Sequence, residues 1–148
     1  MPTLTMSIKE VQTIEVADTI ADAARQMAES GVGALCVTEG NRLVGIVTDR
    51  DVVVRGVARG VPVDGRIDAV MTMDPVTIDA GADVEDAVGA FSEHPFRRLP
   101  VVQGDELAGM VTVDDLIVNT AEVLSRLCRP IVGEALFREP GRDVPAVP

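Results

Sequence analysis

Two short stretches of this chain place a hydroxyl and a carboxylate at one spacing: Gly45, Thr48 and Asp51 in GIVTDRD, and Gly109, Thr112 and Asp115 in GMVTVDD. In each, an apolar run stops at the threonine and a helical pattern begins, so the motif reads as a strand-to-helix junction. The first N–H groups of a helix have no partner within it, and the helix dipole adds about half a positive charge there. A phosphate suits that position. The threonine hydroxyl can donate to a phosphate oxygen, and the carboxylate one turn further on can accept from the two hydroxyls of a ribose. The glycine is read as room for a ligand to approach the backbone. Thr-x-x-Asp is also close to a capping box, in which hydroxyl and acid satisfy each other's backbone N–H. Two copies in one register favour binding, although a duplicated cap is inherited in duplicate too.

Arg50, Arg97 and Arg98 are the positive charges nearest these junctions in sequence and are candidate phosphate partners, with simple surface solvation as the alternative. Thr13 and Thr77, which open the matching triplets TIE and TID, complete the candidate ligand-binding set. Catalysis has little to rest on. His94 is the single histidine, it precedes Pro95, and no serine or cysteine nucleophile accompanies it in a recognisable motif. One histidine with Cys36 and Cys128 far apart cannot supply the usual four-ligand zinc set, so no metal site is expected. Asp49 and Asp51, or Asp114 and Asp115, are first-turn acids that complement the helix dipole and would hold magnesium only if ATP brought it.

A duplication positions these residues. Sliding the 148-residue sequence along itself by 64 places, without gaps, lays GIVTDRD on GMVTVDD and Thr13 on Thr77. Between these anchors Asp22 falls on Asp86, Ala23 on Ala87, Leu35 on Leu99, Val37 on Val101, Gly40 on Gly104 and Leu43 on Leu107. Two copies of one unit usually pack together to close a shared core. Each copy opens with a short strand (Thr13 to Val16, Val76 to Ile78). An amphipathic helix follows, capped by Asp18 or Thr19 in the first copy and by Asp83 in the second. Ile20, Ala23, Ala24, Met27 and Ala28, and then Val84, Ala87, Val88 and Phe91, form the predicted core stripes. Two hairpins come next, turning at Glu39-Gly40-Asn41 and at Gln103-Gly104-Asp105. A helix then starts after Thr48 and after Thr112. The unit is β-α-β-β-α, used twice, giving an α/β (α+β) fold with a pseudo-twofold axis. Expected boundaries are 6–64, 65–128 and a tail at 129–148. The last helix is expected to run through Leu116, Ile117, Thr120, Val123, Leu124 and Leu127 until Pro130 ends it, and the final stretch, REPGRDVPAVP, to be loosely held.

Composition narrows the partners. Three Phe with no Trp or Tyr leave no stacking platform for single-stranded nucleic acid. A net charge of −11 repels phosphate backbones and anionic membranes, so neither nucleic acid nor a membrane is an expected partner. No apolar stretch approaches a bilayer span, and with no leader pattern and no CxxC spacing the expected location is cytoplasmic.

Over about Met6 to Leu127, the repeat length, the order of elements and the two signatures resemble a tandem pair of CBS domains, or Bateman module. VMTMDPVTI (Val70 to Ile78) resembles the opening of such repeats and RRLPVV (Arg97 to Val102) their second strand. The resemblance implies a cleft between the repeats for adenosine-bearing ligands such as AMP, ADP, ATP or S-adenosylmethionine, with Thr48, Asp51, Thr112 and Asp115 on phosphate and ribose. No cofactor is required. It further implies a homodimer, often a flat disc of four repeats, that senses energy state or acts on a partner protein. The first copy departs from the pattern, with MSIKEVQTI at its opening and Cys36 where the second has Pro100. Equal affinity of the two clefts is therefore not expected. The rival to ligand binding is a structural module of the same fold, working through its surfaces alone.

Overall fold

Both predicted hairpins form, and they form identically. In the computed structural model, which describes residues 8–137 and the side chains among them through residue 130, β2 (Ala34–Glu39) pairs with β3 (Arg42–Thr48), and β6 (Arg98–Gln103) with β7 (Glu106–Thr112). Gly40 and Gly104 both sit at φ 63°, the left-handed backbone that a two-residue turn requires. The irregularity between Val37 and Thr38 recurs 64 residues later, between Val101 and Val102. A parallel strand flanks each hairpin: β1 (Thr13–Glu15) lies on β2, and β5 (Ile78–Asp79) on β6.

The repeats meet edge to edge in one seven-stranded sheet, whose main path runs β1-β2-β3-β7-β6-β5 with one further strand paired to β3. At the seam Arg42 pairs with Glu106, its own counterpart in the duplication. Leu43 N donates to Asp105 O at 3.3 Å, and Leu107 N donates to Asn41 O at 3.1 Å. These two bonds are each other's image under a half-turn, so the pseudo-twofold axis passes between residues 42 and 106.

The seam is bridged a second time by the segments that open the two repeats. β4 (Thr72–Met73), which leads into the second repeat, pairs with β3 of the first at Gly45 and Ile46. Lys9, which leads into the first repeat, exchanges backbone bonds of 3.0 Å each way with Met110 on β7. This crossing corrects the role expected of the two motif glycines. A Cβ on Gly45 would lie 2.6 Å from Met71 Sδ and 2.8 Å from Thr72 O. A Cβ on Gly109 would lie 2.5 Å from Ile8 Cγ2 and 2.6 Å from Lys9 O. The space beside each glycine holds the other repeat's lead-in segment, and no ligand can use it.

Helices cover the sheet. α1 (Ile20–Ser30) is capped by Thr19 and ends at Gly31 in the left-handed region. α3 (Val84–Glu93) is capped by Asp83. Each makes a complete capping box with the acid three residues on, Asp22 or Asp86. The helix after Thr48 is short: α2 (Asp49–Asp51) passes into a π turn at Val52–Gly56 and a 3-10 turn at Val57–Arg59. A further 3-10 turn, Ile67–Ala69, precedes β4.

The helix after Thr112, α4 (Val113–Phe137), runs through Pro130 instead of ending there. A mid-helix proline removes one N–H donor and crowds the carbonyl four residues back, which can bend a helix without stopping it. The 138–148 stretch lies outside the described residues.

Each repeat has its own core, and the two match at five positions, while the first also takes in Ile67, Val70 and Met71 from beyond the expected boundary at 64. Ile14, Ala23, Leu35, Val37 and Val47 are buried in the first, and their counterparts Ile78, Ala87, Leu99, Val101 and Val111 in the second. The predicted stripes were too wide. Ala24, Ala28 and Val88 are exposed, and Val84 and Phe91 are only partly buried, because a short helix lying on one face of a sheet seals only a narrow strip. No helix among the described residues is long and apolar enough to cross a membrane.

Gly45→Ala is expected to lower stability by about 1–3 kcal/mol, since the added methyl must displace a backbone carbonyl. Gly89→Ala, on α3 with nothing within 4 Å of the new Cβ, should be neutral or gain up to about 1 kcal/mol. Urea midpoints for the two variants check the contrast, and equal losses would contradict the crossing.

Candidate functional site

The two motif threonines end the two seam strands, and each begins a helix. At the first junction the Asp51 N–H donates to Thr48 Oγ1 at 3.1 Å, and the Thr48 N–H donates to Asp51 Oδ2 at 2.9 Å. The capping box weighed as the alternative is therefore present. At the second, the Asp115 N–H donates to Thr112 Oγ1 at 3.1 Å, and that hydroxyl donates to Asp115 Oδ2 at 2.8 Å. Both carboxylates are mostly covered, with side-chain exposures of 18% for Asp51 and 16% for Asp115.

Each carboxylate's remaining oxygen meets a cation that sequence reasoning missed. Lys9 Nζ lies 2.6 Å from Asp115 Oδ1, having crossed over from the first repeat's lead-in segment. Arg55 Nε lies 3.8 Å from Asp51 Oδ1, while its Nη1 donates to the Val70 and Met71 carbonyls at 3.4 and 3.1 Å. Arg55 was detectable, being one helical turn beyond Asp51. The sequence signal for Lys9 was its being the chain's single lysine, which says nothing about where it goes.

The candidate arginines separate. Arg98 is the cross-strand neighbour of Thr112, and its Nη2 lies 3.7 Å from the Cβ position of Gly33, which itself is 3.2 Å from Asp49 Oδ2. A cation of the second repeat thus stands at the helix start of the first. Arg97 instead pairs with Asp114 at 2.7 Å, both side chains being well exposed. It lines a groove of about 630 Å³ between α3 and α4, whose walls include Phe91, Phe96, Leu116, Ile117 and Leu124. Arg50 is exposed, and its backbone N–H is held by Asp49 Oδ1 at 2.8 Å. Thr13 and Thr77 are exposed on or beside the outer strands β1 and β5, two strands from the seam. His94 is tied down locally, with Nδ1 3.0 Å from Ala90 O and its ring stacked on Phe96 at 4.9 Å. Among the described residues, no group of three or more His, Cys, Asp or Glu side chains is placed to hold a metal ion.

Burial raises the Asp115 carboxyl pKa, but hydrogen bonds from Lys9 and Thr112 and the Lys9 charge outweigh it, so the group ionises below its ordinary 3.8. Burial alone pushes the Cys36 thiol up to about 12, which leaves it an unreactive core residue. A carboxyl whose pKa is lowered by folding adds stability that is fully present above its unfolded value and lost as pH falls through its folded one. Asp115→Asn should therefore flatten the acid limb of the stability curve below about pH 4. Thermal melts of both proteins across that limb test it, and parallel curves would refute it.

The sequence profile of the CBS domain matches residues 5–56 and again 67–122. YlbB of Bacillus subtilis (strain 168) is 39% identical over 112 residues, spanning 74% of this chain and 76% of its own. The solved structure of Hypoxic Response Protein I with two coordinated zinc ions is 29% identical, with a TM-score of 0.73 over 80% of this chain and 99% of that one. CBSX2 in complex with AMP shares the fold at 23% identity, with a TM-score of 0.74 over 83% of this chain and 99% of that one. Matched repeats, a sheet that pairs Arg42 with its own counterpart, and a doubled profile match lead to one conclusion: the chain belongs to the CBS domain family, as a tandem pair.

Proposed function

We propose that this CBS pair is a regulatory module that binds an adenosine-bearing ligand between its repeats and catalyses no reaction. The observation that carries this reading is the doubled helix start, in which a threonine hydroxyl and a mostly covered carboxylate stand together with a cation beside the carboxylate. Arg98, from the second repeat, adds a donor at the helix start of the first. Phosphate would take the hydroxyl, the helix N–H groups and Arg98, and the ribose diol would take the carboxylate. That a CBS pair can hold such a ligand is supported by the related fold solved with AMP.

The rival reading, a module that works through its surfaces alone, is favoured by the internal partners that Thr48, Asp51, Thr112 and Asp115 already have. Titration separates the two. With AMP, ADP, ATP or S-adenosylmethionine, a ligand at a hundred times its Kd should stabilise the fold by about 2.7 kcal/mol. Asp51→Ala and Asp115→Ala should each weaken binding at their own site by roughly tenfold while the chain stays folded. No stabilisation with any of these ligands would leave the surface reading standing.

The reading includes a homodimer. Both repeats leave the same apolar positions open: Ala24 and its counterpart Val88, Val53 and Ile117, Val54 and Val118. A second copy of a chain with its own pseudo-twofold axis can cover both faces at once, which one small partner cannot. Replacing Val54 and Ile117, 45% and 59% exposed, together by Glu should convert a dimer to a monomer in light scattering. A wild-type monomer would refute the pairing.

A further inference from the structure

The two helix starts share a plan but differ in their charges: Asp49 and Arg50 fall on Val113 and Asp114 in the duplication, Arg98 stands at the first start, and the crossing segments differ as well. The lead-in segments cross the seam alike, Ile8 and Lys9 packing on Gly109 as Met71 and Thr72 pack on Gly45. Thr72 is therefore the structural counterpart of Lys9. Beside Asp115 the crossing segment brings an ammonium, on a side chain 69% exposed, to 2.6 Å from the carboxylate. On the segment that crosses β3 the matching residue is the neutral Thr72, and Arg55 beside Asp51 is held by two backbone carbonyls of that same segment.

We infer that Lys9 is a specificity residue that makes the second repeat's site selective for adenosine ligands carrying a phosphate, a deepening that rests on the reading of Asp115 as the ribose acceptor. Both oxygens of Asp115 are occupied, Oδ1 by Lys9 and Oδ2 by the Thr112 hydroxyl. A diol that takes the carboxylate must displace the ammonium. The lysine sits on a flexible four-carbon stem, largely in solvent, and is free to swing. A ligand with a phosphate offers the displaced charge a new partner beside the helix N-terminus. Neutral adenosine offers none, and the cationic sulfonium of S-adenosylmethionine adds repulsion. The first repeat's site has Thr72 in that place and draws its positive charge from Arg98 and Arg55 instead. The two halves of the duplication thus meet a ligand's charge with cations from different segments.

The test is isothermal calorimetry with AMP, adenosine and S-adenosylmethionine, in an Asp51→Asn background that weakens the first site. AMP should bind roughly tenfold tighter than adenosine, the worth of one charge-assisted hydrogen bond. Adding Lys9→Met should bring the two affinities to within about threefold by weakening AMP and tightening adenosine, and Lys9→Arg should restore the gap. Thermal melts without ligand establish that each variant is folded. If AMP binds but its advantage over adenosine survives Lys9→Met, Lys9 is only a strut and the inference is overturned. If no adenine ligand binds even the otherwise wild-type chain, the reading of the site itself falls, and this inference with it.

Discussion

The crossing of the two lead-in segments is the constraint on which the rest of this structure depends. Each seam strand has a hairpin partner on one side. On the other it has its counterpart strand only at Arg42 and Glu106, and beyond that point the segment leading into the opposite repeat. That segment runs so close that only a glycine fits, at Gly45 and at Gly109. The same segment delivers Lys9 to Asp115 and offers the Val70 and Met71 carbonyls to Arg55. The backbone packing that joins the repeats and the electrostatics of the candidate sites therefore have one origin. A change that moved the segment would disturb both.

This origin also explains how one set of residues can serve the fold and a ligand together. A capping box satisfies N–H groups at the start of the helix, and it holds the threonine and the aspartate in fixed rotamers. Groups held this way lose little freedom on meeting a ligand, which favours binding by lowering its entropic cost. Capping and binding were set out as alternatives in the sequence. On the proposed reading they are two uses of one geometry, with the cap supplying the preorganisation.

Much of the fold was legible because it is periodic and repeated. The hairpins were marked by alternating apolar runs and a turn glycine, and α1 and α3 by caps followed by a 3.6-residue stripe. The 64-residue shift then fixed the symmetry, since matched core residues such as Leu35 and Leu99 must sit in matched places. β4 was not legible, because a strand of two residues has no period to detect. The glycines carried the missing signal, but a close approach by backbone and one by a ligand look the same in sequence. Pro130 misled for a local reason: proline propensity describes the cost of a missing donor, and it does not forbid the helix. At the site, Thr48, Asp51, Thr112 and Asp115 were found where expected at the junctions. Lys9 was not found, since its partner lies more than a hundred positions away and the contact depends on the crossing.

The crossing also governs what becomes of either half alone. Cut between the repeats, the first piece would give up Ile67, Val70 and Met71 of its buried cluster, though each piece would keep its hairpin and its helices. Each would also lose the segment that closes its inner strand, laying bare a row of unpaired N–H and C=O groups beside a glycine. Such an edge is a template for pairing with other chains. The outer edges carry no comparable hazard, because β1 and β5 are only three and two residues long. The duplication is thus a mutual protection, in which each repeat shields the other's one adhesive edge.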